Sequence, residues 1–186
     1  AGDAGANSAH TDAGTPTLII NKDVTLRNDF GNITLAAVNG NFVNNSELAV
    51  SGVPGFDGNS QLLIFARDPA TSTIGELSSF NMLKQYNHPF DNGITPVSRG
   101  NWVFYSDPQF LFVAPNSQTI TYGNTLSGSV RSISGFVDGD TINTAGAVVG
   151  SGVVTSNGPI SASGNLTAGI HDLVYLTGFT SDLGYQ

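Results

Sequence analysis

Without a single cysteine, this chain of 186 residues would have to build chemistry from hydroxyls, carboxylates and imidazoles. The last of these are scarce: three histidines (His10, His88 and His171), alongside two glutamates (Glu47 and Glu76). Hydrolysis needs a nucleophile beside a base, or two carboxylates across a cleft. His171-Asp172 comes nearest, with a base next to an orienting carboxylate. Neighbours on a strand point to opposite faces, however, so the two side chains are expected to diverge. His88 precedes Pro89 and reads as a packing or solvated loop residue, and His10 lies in a polar N-terminal arm. The chain contains no G-x-S-x-G elbow, H-E-x-x-H pair or G-x-x-x-x-G-K phosphate loop. The expectation is a non-enzyme without a cofactor.

Two other groupings have a chemical look. Asp138-Gly139-Asp140-Thr141 sets two carboxylates around a glycine, oxygen ligands of the kind Ca²⁺ takes. It lacks the further carboxylates and closing Glu of a calcium loop, so a turn in which Asp bonds backbone amides is the competing reading. Trp102, Phe104, Tyr105, Phe110 and Phe112 are close in sequence. Aromatic faces stack on sugars, so Trp102, Tyr105 and Phe110 are candidates for a glycan-binding surface, with core packing as the alternative. Asp68-Pro69 and Asp107-Pro108 read first as strand stops.

The composition narrows what such groups could serve. Only 11% of residues are charged, six are Lys or Arg, and the formal net charge is −8. Nucleic acid and anionic membranes both need clustered cations, so neither is expected as a partner. No apolar run reaches the ~20 residues of a membrane-spanning helix. The length suits one domain or two small ones with a real core.

The elements that must position these side chains are almost all strands. From Leu18 onward, short β-branched and aromatic runs alternate with Asn and Gly: Leu18-Ile19-Ile20, Val24-Thr25-Leu26, Ile33-Thr34-Leu35, Phe42-Val43 and Leu48-Ala49-Val50. Thr25-Leu26 recurs nine residues on as Thr34-Leu35, a spacing that suits stacked rungs of a parallel β-helix, with an antiparallel meander as the alternative. Residues 61–66 and 101–105 are each followed closely by Asp-Pro, which predicts that they lie side by side, with the intervening loop folded over one end of the solenoid. Residues 70–90 alone have helical flavour, enough for one or two short turns. From about 116 onward, strand-sized runs bounded by Gly, Asn and Asp predict a small antiparallel domain. The expected organisation is an arm at 1–16, a β-helix end with an aromatic strand pair as cap at 17–115, and the antiparallel unit at 116–186. Both chain ends read as cut, as in a piece of a longer polypeptide.

Three segments, in order, resemble the large secreted exoproteins of the filamentous-haemagglutinin type, exported by two-partner secretion. Gly31-Asn32-Ile33-Thr34-Leu35 through Phe42-Val43-Asn44-Asn45 is similar to a rung of their β-helix. Leu62-Leu63-Ile64-Phe65-Ala66-Arg67-Asp68-Pro69-Ala70, with Phe80, Tyr86 and Gly100-Asn101-Trp102-Val103-Phe104-Tyr105, resembles the segment after their solenoid. Thr121-Tyr122-Gly123-Asn124-Thr125-Leu126, with Ile133-Ser134-Gly135-Phe136-Val137-Asp138-Gly139-Asp140-Thr141, is similar to their mostly-beta, glycine-rich (MBG) repeat, although the acidic residue and proline usual after Tyr-Gly are absent. The resemblance implies a non-catalytic segment of an extracellular adhesin or fibre at a bacterial surface. It also implies that Asp182-Leu183-Gly184-Tyr185-Gln186 enters a last strand, leaving an open edge for other copies or neighbouring repeats. A lectin-like module holding host or matrix glycans is the alternative function, and a polysaccharide-acting enzyme stands third.

Overall fold

A computed structural model describes residues 17–21, 32–46, 61–90, 100–127 and 130–186. The readings made on the 1–16 arm with His10, on Thr25-Leu26, on Glu47 and on Leu48-Ala49-Val50 lie outside the described residues. The fold is all-β, with parallel and antiparallel sheets and, among the described residues, one 3-10 helix, Gly75–Phe80, inside the stretch expected to hold a short helical turn. The chain divides into two compact units, 1–108 and 109–186. The boundary falls ahead of the expected 115/116 because residues 109–115 make their strand pairings with the second unit.

In the first unit every strand pair is parallel, among the described residues. One stack begins with β1 (Thr17–Ile20) beside β3 (Asn41–Asn44) and continues through a bridge from Val43 to Thr73. The other holds β2 (Ile33–Ala36), β4 (Leu62–Ala66), β6 (Trp102–Tyr105) and β5 (Leu83–Gln85), in that spatial order. As far as Thr73 the chain visits the two stacks alternately; β5 and β6, which come next, both join the second. Polar contacts between successive passes join residues 24, 30, 29 and 39 positions apart. Thr34 lies against Leu63, while the nine-residue recurrence rests on Thr25-Leu26, outside the described residues. The predicted neighbours do pair: Leu63 faces Trp102 and Ala66 faces Tyr105, with Ser106 N donating to the Ala66 carbonyl at 2.9 Å. The loop between them contributes β5 on the far side of β6.

β4 explains the core of this unit. A parallel strand hydrogen-bonded on both sides and covered on both faces should read as an unbroken apolar run. Leu62-Leu63-Ile64-Phe65-Ala66 does, and all five residues are buried. Leu63, Phe65 and Phe104 form one cluster, with Ala36, Phe90 and Trp102 packed against it. Fully burying a large apolar side chain stabilises by roughly 1.5–3 kcal/mol. Backbone groups at the turns are taken up by asparagine and glutamine. Leu62 N donates to Asn101 Oδ1 at 2.9 Å, Gln61 N to Asn32 Oδ1 at 3.1 Å, and Gln61 Nε2 to the Gly100 carbonyl at 3.0 Å; between side chains, Asn45 Nδ2 donates to Asn21 Oδ1 at 3.0 Å. The Asn-rich turns thus stitch one pass to the next.

The strand pairs assigned in the second unit are all antiparallel. β7 (Phe112–Pro115) pairs with β9 (Val130–Ser134), β8 (Gln118–Ile120) with β11 (Gly169–His171), and β10 (Val149–Ser156) with β12 (Leu173–Thr180). The β10–β12 ladder shifts register between Gly150 and Val154. Gly178, at φ +108°, makes that close approach possible: a Cβ there would stand 2.1 Å from the Ser151 carbonyl oxygen. The buried apolar set is thinner than in the first unit, comprising Ile120, Ala147, Leu173 and Tyr185 among the described residues.

Candidate functional site

Of the described residues weighed for catalysis, His171 and His88 occupy packing positions. His171 ends β11 and is only 4% exposed. Its Nε2–H donates to the Thr167 carbonyl at 2.8 Å, while Nδ1 stands 3.5 Å from Ser156 Oγ. Its ring also fills the space over Gly158, where a Cβ would come within 2.0 Å of Nδ1. Asp172 is exposed and accepts a hydrogen bond from Ser117 Oγ at 2.9 Å. The pair diverges, as period-two geometry requires. His88 lies over Phe104 with ring centroids 4.5 Å apart, and its backbone N donates to the Tyr105 carbonyl. Glu76 is exposed on the 3-10 helix.

Asp138 and Asp140 flank a tight turn. Asp138 (φ 51°) and Gly139 (φ 77°) are both left-handed, and Asp140 N donates to the Val137 carbonyl at 2.9 Å, which is a type I′ turn. The Asp140 carboxylate accepts the Tyr185 hydroxyl at 2.8 Å, and that hydroxyl also accepts Val137 N at 3.2 Å. The turn is thereby tied to the C-terminal segment. Among the described residues no three acidic, His or Cys side chains are grouped to hold a metal ion.

The aromatic candidates do not form one surface. Tyr105 is 1% exposed and stacks on Tyr86 with centroids 5.7 Å apart, so it is a core residue and not part of a binding face. Trp102 is half-buried on the opposite face of β6, stacked on Phe104 at 5.6 Å, and Phe104 stacks in turn on Phe65 at 4.8 Å. Alternation carries this signal in the sequence: residues 102 and 105 are an odd number apart and cannot share a strand face. Phe110 belongs to the second unit and is exposed (56%), as is Phe112 (68%) two residues on.

Two features of the second unit were not anticipated as sites. The exposed Tyr122 hydroxyl lies within hydrogen-bond reach of Ser161 Oγ and Ser163 Oγ. Hydrogen bonds from Ser161 first, then Ser163 and Asn165, lower its pKa below the ordinary phenol value. The second feature is an apolar cleft of about 120 Å³, lined by Leu111, Val113, Ile133, Tyr175, Phe179 and Tyr185 among others. Gln186, one of its lining residues, donates its N to the Gln109 carbonyl at 2.8 Å, and Leu111 N donates to the Gln186 carbonyl at 3.0 Å. That two-bond pattern around Phe110 is a parallel bridge. No hydrophobic period in the sequence marks Gln186, because its role lies in backbone groups alone.

Compared with known proteins, the chain matches no family model, no curated protein and no solved structure.

Proposed function

We propose that this chain is a non-catalytic structural segment of a large secreted bacterial surface adhesin or fibre. The carrying observation is the winding of the first unit through two stacks of parallel strands, joined from pass to pass by backbone and asparagine contacts. Such winding is β-helix-like, and it lengthens by adding passes that each contact their neighbours. The packing and hydrogen-bonding roles of His171, Asp172, His88 and Asp140 fit a scaffold better than a reaction centre. Strand edges are the contact chemistry such a segment offers to other copies or to neighbouring repeats.

Negative-stain electron microscopy and sedimentation of the purified chain over a range of concentrations test the reading. Elongated particles or fibres are expected, and compact monomers alone at high concentration would count against it. A glycan-binding reading rests on Phe110 and Phe112, two residues apart and both exposed. Glycan-array binding lost in Phe110→Ala would favour it. Tyr105→Ala is no test of it, since that side chain is core.

A further inference from the structure

We propose that Tyr122 is an acyl-acceptor site, its phenol oxygen taking the acyl group of a neutral activated acyl donor. The inference is independent of the fibre reading and rests on access to one oxygen and on the hydroxyls around it. Of the five tyrosines, Tyr86 and Tyr105 are each 1% exposed and stack on one another. Tyr185 is buried, and its hydroxyl donates to the Asp140 carboxylate at 2.8 Å. Tyr175 is half-buried, and its hydroxyl accepts Phe179 N at 3.0 Å. Tyr122 alone is exposed, at 53%. It sits in a turn closed by Asn124 N donating to the Thr121 carbonyl at 3.0 Å. Its hydroxyl meets a second turn, in which Ser161 N donates to the Asn165 carbonyl at 2.8 Å and Gly164 N to the Ser161 carbonyl at 2.9 Å. A Cβ on Gly123 or Gly164 would meet nothing within 4 Å, so both turns are open to a small reagent.

The hydroxyls supply the activation. Ser161 Oγ lies 3.4 Å from the phenol oxygen, Ser163 Oγ also bonds it, and the two serine oxygens are 3.0 Å apart. Ser161 can turn its proton to the Asn165 carbonyl at 3.0 Å or to the phenol. Once the phenol ionises, the anion is the stronger acceptor and draws both serine protons. Hydrogen bonds from Ser161, Ser163 and Asn165 thus hold this phenol below its ordinary pKa. The gain in anion at neutral pH is only partly offset by weaker basicity, as with thiols. In the step itself the phenol proton goes to solvent and the phenolate oxygen forms a bond to the acyl carbonyl carbon. The bond from that carbon to the leaving group breaks, and the leaving group departs with the electron pair and takes a proton from water. Residues 119–127 and 159–170 contain no charged side chain and no histidine, which fits a neutral donor. A phosphoryl or sulfuryl donor would bring negative charge with no Lys or Arg in either segment to receive it.

The probe is N-acetylimidazole, a neutral acetyl donor, applied to the whole chain at about pH 7.5 with N-acetyl-tyrosine amide in the same tube as the unperturbed phenol. Peptide mapping should place the first acetyl ester on Tyr122. Hydroxylamine should remove it, whereas acetylated amines resist that treatment. The rate at Tyr122 should level off at a lower pH than the rate of the standard. In Ser161→Ala/Ser163→Ala the Tyr122 rate should fall roughly three- to tenfold, the turn being kept by its backbone bonds. Ser161→Thr/Ser163→Thr retains both hydroxyls and should stay near the parent rate. A first ester on another tyrosine, or a Tyr122 profile that bends at the same pH as the standard, would overturn the proposal. So would equal rates in the parent and the alanine variant, because exposure alone would then account for the labelling. Loss of rate in the alanine and threonine variants alike would also overturn it, by tying the reaction to the shape of the turn and not to the hydroxyls.

Discussion

Tyr122 shows how little of a residue's role its type discloses. A tyrosine in a Gly-rich turn reads as punctuation, yet its hydroxyl is gathered by two serines some forty positions away in sequence. Their hydrogen bonds favour the phenolate, so the folded state gives up this proton at lower pH than the unfolded chain. The increment of stability is therefore present above the unfolded value near 10 and is lost as pH falls through the lower folded value. An ultraviolet titration should show phenolate appearing below pH 10 in a step that Tyr122→Phe removes; superimposable curves would refute the assignment. Asn44 makes the converse case of a buried polar group. Its Nδ2 donates to the Ile74 carbonyl at 3.0 Å, and its Oδ1 accepts Ser46 Oγ at 2.6 Å and Ser46 N at 3.2 Å. Asn44→Ala leaves these partners unpaired and should cost about 1–3 kcal/mol in urea unfolding, whereas an exposed asparagine such as Asn124 should cost little when replaced.

At the scale of elements, strands were legible where burial is complete. Leu62–Ala66 has no polar interruption, and the Asp-Pro stops that follow it and Trp102–Tyr105 placed the two side by side. The stacking period was not legible, because the passes differ in length and leave no fixed repeat in the sequence. In the second unit, Val149–Ser156 is one long strand carried through a register shift, although Gly150, Ser151 and Gly152 interrupt its apolar residues. Glycine hides its reason from a sequence reader, since it marks turns and close approaches alike. Gly178 belongs to the second kind. Gly178→Ala forces a side chain onto the Ser151 carbonyl at φ +108° and should destabilise the second unit by about 2–4 kcal/mol. Replacement of Gly164, which is also left-handed but has open space around it, should cost only the backbone strain.

For the whole molecule, the two compact units differ in how well they are filled. Among the described residues, the first holds Phe42, Leu62, Leu63, Ile64, Phe65, Phe104 and Tyr105, each at 2% exposure or less, while the second relies on Ile120, Ala147, Leu173 and Tyr185. Buried apolar area is the main source of stability, so the second unit should unfold first. Calorimetry should then resolve two transitions, because each unit has its own core. Single substitutions assign them. Phe65→Ala empties the centre of the first core, where Phe65 stacks on Phe104 and meets Phe90 edge-on, at a cost of about 3–5 kcal/mol. For a unit of this size that lowers its own midpoint by roughly 10 °C or more and leaves the earlier transition in place. Gly178→Ala should do the reverse. A single transition that shifts as a whole in both variants would mean that the two cores fold as one.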